Sequence, residues 1–197
     1  MKYGSKMKQS NKKVVGKIRK SQLITTFGTG AIADMPDYSV IMASTDYWGD
    51  SRVLFEPNLQ RLLGMKYFKE PRATESDFPS GNPDLPAFRF PMMHFFSNFK
   101  KLMSYKLFGD AEGRKCSECG KELVPSRFIA ACINGHLEDF PYKWWVHGGN
   151  IGDCPAADRY DKLTIDFSSS SGGLGSIKIK CTACGKERSM EGCVSKD

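Results

Sequence analysis

Seven cysteines and three histidines are the residues of this chain whose types and spacing point most directly to chemistry. Cys116 and Cys119 form one Cys-x-x-Cys pair followed by Gly120, and Cys181 and Cys184 form a second followed by Gly185. A zinc ion takes four donors at about 2.0–2.3 Å, and two thiolates on one tight turn supply half of them from a few residues. Two such turns predict metal coordination. An odd cysteine count argues against a complete disulfide framework. The chain also lacks the apolar leader of a secretory signal, so a cytoplasmic location is expected, where thiols stay reduced.

The ligand pairing has two readings. In one, Cys116 and Cys119 join Cys132, after twelve intervening residues, and His136, after three more, around a first ion. Cys154, Cys181 and Cys184 then hold a second ion with His147 or Cys193 as the fourth donor. In the rival reading Cys116, Cys119, Cys181 and Cys184 share a single ion, and Cys132 and Cys154 are core or minor-site residues. Either set is filled by protein, which leaves no position for an activated water. The expected role of the Zn2+ is therefore to stabilise the fold, and the chain is not expected to be an enzyme.

Catalytic readings of the same residues have less support. His136, Glu138 and Asp139 lie near Cys132 and offer acid–base groups, but no spacing rule makes them a hydrogen-bonded chain. A metal-assisted nuclease active only after assembly is the enzymatic alternative. His94 sits in an aromatic-rich segment and reads as a core or hydrogen-bonding residue. Gly28 and Gly30 lack the Gly-Lys-Ser/Thr ending of a phosphate-binding loop and read as a structural turn.

The elements that must position these residues are short. A strand is expected over 39–43, and a helix over about 57–63 with Pro57 in its first turn and Gly64 at its end. The segment 70–91 carries five prolines and reads as irregular. Most of Phe88, Phe90, Phe95, Phe96, Phe99, Trp144 and Trp145 are expected to be buried. Residues 127–132 read as a strand returning Cys132 to the first knuckle, and Asp139 as the cap of a short helix through Trp145. Period-two patterning over 163–167 and 176–180 predicts a hairpin that leads directly into Cys181. Beyond the cysteine pairs no tandem repeat stands out. The fold class is α+β: a small, loop-rich domain with short antiparallel strands and zinc-ribbon-like knuckles.

At 197 residues and 22.0 kDa the chain is expected to form one domain, 18–197, with subregions 18–110 and 111–197, after a basic flexible tail over 1–17. The formal charge is +7, yet residues 1–20 hold eight cations and no acid, so the other 177 residues sum to −1. The total therefore gives no sign of a basic groove on the folded body. Lys12, Lys13, Lys17, Arg19 and Lys20 are the candidate phosphate contacts of an alternative, nucleic-acid-binding reading, in which the knuckles position the chain. No apolar run is long enough for a membrane span.

Several segments in order resemble the N-terminal region of the DrmB family. They are 18–24 with Phe27-Gly28-Thr29-Gly30-Ala31, then Pro36-Asp37-Tyr38-Ser39-Val40, Asp46-Tyr47-Trp48 and Ala87-Phe88-Arg89-Phe90-Pro91. The match is strongest over 124–132, 135–141 and Trp145-Val146-His147, and closes on 181–185. The resemblance implies a part in bacterial anti-phage (DISARM) defence beside a helicase-like DNA translocase. The expected role is thus a zinc-stabilised, non-catalytic accessory or protein-interaction subunit, with a helicase-like defence subunit as protein partner, DNA as a further partner, and no small-molecule substrate. Two departures go with the resemblance: members often carry another Cys-x-x-Cys where Phe96-Ser97-Asn98-Phe99 stands here, and they continue beyond the position of Cys193.

Overall fold

Proline, glycine and short β-branched runs divide the chain into helices and strands of two to seven residues. The structure, a computed structural model, describes residues 14–48, 51–71, 85–98, 100–108, 115–167 and 172–195. Lys12, Lys13 and Phe99 lie outside the described residues. The chain divides into two compact units, Met1–Phe90 and Pro91–Asp197.

The first unit contains α1 (Gln22–Thr25), β1 (Ile32–Asp34), β2 (Ser39–Met42), β3 (Ser51–Leu54), α2 (Pro57–Leu63), β4 (Phe68–Pro71) and β5 (Ala87–Arg89). Strands β1, β2 and β5 make an antiparallel sheet with β2 in the middle. Its core is Ala33, Val40 and Met42, with Val15, Ile18, Leu23 and Phe27 packed against it. The Gly30 amide donates to the Met42 carbonyl at 2.8 Å, at a positive φ of 81°. The glycine turn thus serves the sheet, as a structural turn does. Strands β3 and β4 pair around α2, which starts at Pro57 and stops at Gly64 in the left-handed region. Helix α2 buries none of its residues: Leu59, Leu62 and Leu63 are all exposed.

The second unit contains β6 (Met93–Phe96), β7 (Lys101–Ser104), β8 (Val124–Pro125), β9 (Ile129–Ala131), β10 (Leu137–Asp139), α3 (Tyr142–Val146), β11 (Leu163–Phe167), β12 (Ile177–Cys181) and β13 (Glu187–Ser189). Six of these strands form one sheet in the order β13-β12-β11-β7-β6-β8, and β9 and β10 form a separate hairpin. The expected hairpin is β11–β12, in register from Leu163 opposite Cys181 to Phe167 opposite Ile177. Leu163, Ile165, Ile179 and Cys181 point to one face, as period two requires, and meet Tyr142, Trp145 and Val146 of α3. The whole is α+β and loop-rich with short antiparallel strands.

Three local expectations need correction. Asp139 does not cap α3, whose N-cap is Pro141 without a side-chain bond. Its carboxylate instead accepts the amides of Met92 and Met93, at the start of β6, at 3.1 and 3.0 Å. Burial pushes that carboxyl above its ordinary value although both amides oppose the shift. Phe90, Phe96 and Trp145 are buried, but Phe88 and Trp144 are exposed. Residues 127–132 do include a strand, yet β9 pairs with β10 and carries Cys132 to an exposed hairpin tip.

Tyr142 anchors α3 from within the core, 2% exposed, with its hydroxyl 2.6 Å from Ser126 Oγ. Burial raises its phenol to about 12, against the pull of the Ser126 hydrogen bond and aided by the charge of Asp139. The folded form therefore favours the neutral phenol. Its contribution is whole below pH ~10, where the unfolded chain's tyrosine is also neutral, and falls by about 3 kcal/mol as pH climbs to ~12. Tyr142→Phe is expected to cost about 1 kcal/mol at neutral pH for the lost hydrogen bond. It should also flatten the alkaline limb of the stability–pH curve, which denaturant melts of both proteins would read.

Candidate metal centre

The metal-binding candidates divide according to what their elements do. Helix α3 lies on β12 and β13: Trp145 Nε1 donates to the Ser189 carbonyl at 2.9 Å, and the Arg188 guanidinium stacks 3.6 Å from the Trp145 ring centroid. His147 is the residue that follows the helix, so this docking sets its place. Its Nδ1 stands 2.6 Å from the Lys143 carbonyl. A carbonyl only accepts, so Nδ1 carries the proton and Nε2 keeps its lone pair in the neutral ring. Nε2 lies 3.3 Å from Cys184 Sγ.

Cys181 ends β12, Cys184 lies on the turn after it, and Cys154 comes from the loop after α3, held by its amide on the Ile151 carbonyl at 2.9 Å. The donor atoms of His147, Cys154, Cys181 and Cys184 all lie within 4.8 Å of one another. His147, Cys154 and Cys181 are buried and Cys184 is partly so. Cys154 Sγ and Cys181 Sγ are 3.8 Å apart. A disulfide needs about 2.05 Å, whereas two thiolates on one tetrahedral zinc stand about 3.8 Å apart. The donor set and its spacing fit a metal ion.

Three thiolates crowded together would repel one another without a cation. The Ala156 amide favours the Cys154 thiolate, but burial and the Cys181 and Cys184 sulfurs outweigh it and hold that thiol above its ordinary value. At Cys181 burial pushes upward, yet the Cys184 and Ala183 amides and the two neighbouring sulfurs bring the thiol below its usual value. The neighbouring sulfurs thus bear on one another's ionisation, and a divalent cation held among them would favour the thiolates.

The structure gathers no comparable group, among the described residues, from Cys116, Cys119, Cys132 and His136, nor does it join the two Cys-x-x-Cys turns. Cys116 is buried with Phe96, Met103, Phe108 and Leu123, while Cys119 is exposed. Cys193 packs as an apolar residue against the core of the second unit, where burial raises its thiol. Of the basic candidates, Lys17, Arg19 and Lys20 lie in the first unit, and Lys20 Nζ is paired with Glu70 at 2.5 Å.

A repeat went unread in the sequence. Residues 115–122, Lys-Cys-Ser-Glu-Cys-Gly-Lys-Glu, and 180–187, Lys-Cys-Thr-Ala-Cys-Gly-Lys-Glu, agree at six of eight positions. They share one backbone plan. Cys116 and Cys181 donate to the carbonyls of Lys121 and Lys186 at 2.8 and 2.9 Å. Gly120 and Gly185 donate back to those cysteines' carbonyls at 2.7 and 2.8 Å, with φ of 70° and 76°. Aligning the chain with itself at an offset of 65 residues would have exposed the match.

A family model described as a domain of unknown function, DUF8724, matches residues 19–197, and the chain belongs to that family. It is also similar to the DISARM protein DrmB of Bacillus paralicheniformis, at 30% identity over 173 residues. That match takes in 82% of this chain and 28% of the relative, so the chain spans less than a third of the relative's length. The family resemblance read from the ordered motifs therefore stands as homology over most of the chain. No helix among the described residues is long and apolar enough to cross a membrane.

Proposed function

We propose that the chain is a zinc-stabilised, non-catalytic accessory subunit that makes protein contacts within an anti-phage defence complex. The observation that carries this reading is the largely buried Cys3His group, in which three cysteine sulfurs and one imidazole of fixed tautomer converge. Thiolate-rich tetrahedral sets suit zinc. With a divalent ion the group carries one excess negative charge and has every position filled by protein, which leaves no place for water or substrate. What such an ion supplies is cross-linking: it ties the loop after α3 to the turn after β12. His147, Cys154, Cys181 and Cys184 would hold it, and Lys143 orients His147 through its carbonyl.

Similarity to a protein named for DISARM defence supplies the setting, and a helicase-like translocase is the partner proposed. Tagged, zinc-loaded protein expressed beside its defence genes should recover an ATP-dependent translocase reproducibly. Recovery of no partner, with one zinc per chain intact, would remove the accessory role. An absence of stoichiometric zinc would remove the structural one. Cleavage of DNA or RNA by the zinc-loaded chain would overturn the non-catalytic assignment.

A further inference from the structure

A second pair of donors stands apart from the buried centre and faces solvent. Strands β9 and β10 are joined by residues 132–136, where the Cys132 amide donates to the His136 carbonyl at 3.1 Å and the Gly135 amide to the Cys132 carbonyl at 2.9 Å. Gly135, at φ 79°, permits the tight return. The closure holds Cys132 Sγ 3.3 Å from His136 Nδ1. Cys184 Sγ and His147 Nε2 keep the same 3.3 Å in the buried group. A thiolate and an imidazole on one tetrahedral zinc stand about 3.5 Å apart, so the tip is set as a two-donor chelate. All five tip residues are exposed, Ile133 completely so at 103%.

We propose that this tip is a zinc half-site completed by the same tip of a second copy, so that Cys132 and His136 of each chain hold one shared ion. Among the described residues no third donor of the chain joins the pair. Of the first knuckle's thiols, Cys116 is enclosed by Phe96, Met103, Phe108 and Leu123, and among the described residues neither it nor Cys119 groups with the pair. A two-fold axis through the ion supplies the missing donors from an identical surface, which is the simplest closed assembly. Two thiolates and two neutral imidazoles balance a divalent charge, with each thiol giving its proton to solvent as it ligates. The apposed tips would also cover the two Ile133 side chains, otherwise left wholly in water.

The inference does not depend on the buried centre, and the test keeps the two apart. The reduced full chain is titrated with zinc while its mass in solution and its metal content are measured. Monomer with one ion per chain should pass to dimer with three ions per two chains, and mild chelation should reverse the step. Cys132→Ser and His136→Ala should each stay monomeric with the buried ion retained, and Ile133→Ser should weaken dimerisation by about tenfold. A monomer holding two ions per chain, a wild type that stays monomeric with one ion, or a dimer indifferent to Cys132→Ser would each overturn the proposal.

Discussion

Cys184→Ser is expected to release the metal, and Cys119→Ser to leave it in place, although the two cysteines occupy equivalent positions in turns of the same backbone plan. The difference lies in what surrounds each turn. Cys184 Sγ is 3.3 Å from His147 Nε2 and within 4.8 Å of two further thiols. Cys119 is exposed, and its partner Cys116 is enclosed by apolar side chains. A structural ion bound a thousandfold below its free concentration stabilises the fold by about 4 kcal/mol, and a three-donor remnant keeps little of that. Cys184→Ser should therefore lose one ion per chain and about 4 kcal/mol of stability, enough to open the second unit to proteolysis. Cys119→Ser should change stability by less than about 0.5 kcal/mol, as exposed substitutions do. Elemental analysis with thermal melts before and after chelation reads both. Equal zinc loss from the two variants would return the first knuckle to a metal-binding role; full zinc in Cys184→Ser would remove Cys184 from the ligand set.

What the sequence made legible was local. Cys-x-x-Cys-Gly marks a turn because two sulfurs and a left-handed glycine suit only that geometry, and Gly120 and Gly185 adopt it. The β11–β12 hairpin followed from alternation, and the ends of α2 from Pro57 and Gly64. The readings that failed or stayed open turn on packing between distant segments. His147 rather than Cys193 meets the thiols because Trp145 reaches Ser189 and carries the end of α3 to the knuckle, a contact 44 residues apart. No spacing rule contains that distance. Cys132 and His136 have ligand spacing, but β9 pairs with β10 and, among the described residues, no third donor joins them. Asp139 stands where a helix cap is expected, yet its carboxylate accepts the amides of Met92 and Met93 instead.

Lys143→Met should loosen the metal centre without touching a ligand. Lys143 is 6% exposed, and its ammonium donates to the carbonyls of Ala157 and Arg159, the latter at 3.0 Å. It also lies 4.6 Å from the centroid of the Tyr160 ring. These bonds tie α3 to the loop that carries Cys154, whose carbonyl in turn accepts the Ala157 amide at 3.0 Å. Methionine keeps the apolar stem but leaves two carbonyls short of a donor, at about 1–3 kcal/mol, and removes a cation–π contact worth about 1 kcal/mol. A loss of about 3 kcal/mol is expected. The Lys143 main-chain carbonyl is unchanged by the substitution, so the His147 tautomer survives and any weakening of metal binding reports the Cys154 loop alone. Changes behind a ligand typically cost 10–100-fold in affinity, and a chelator competition comparing wild type, Lys143→Met and Lys143→Arg should place the methionine variant in that range, with arginine recovering part of the loss. Unchanged metal affinity alongside the stability loss would show that Cys154 is positioned by its own loop, and that Lys143 serves the core of the second unit alone.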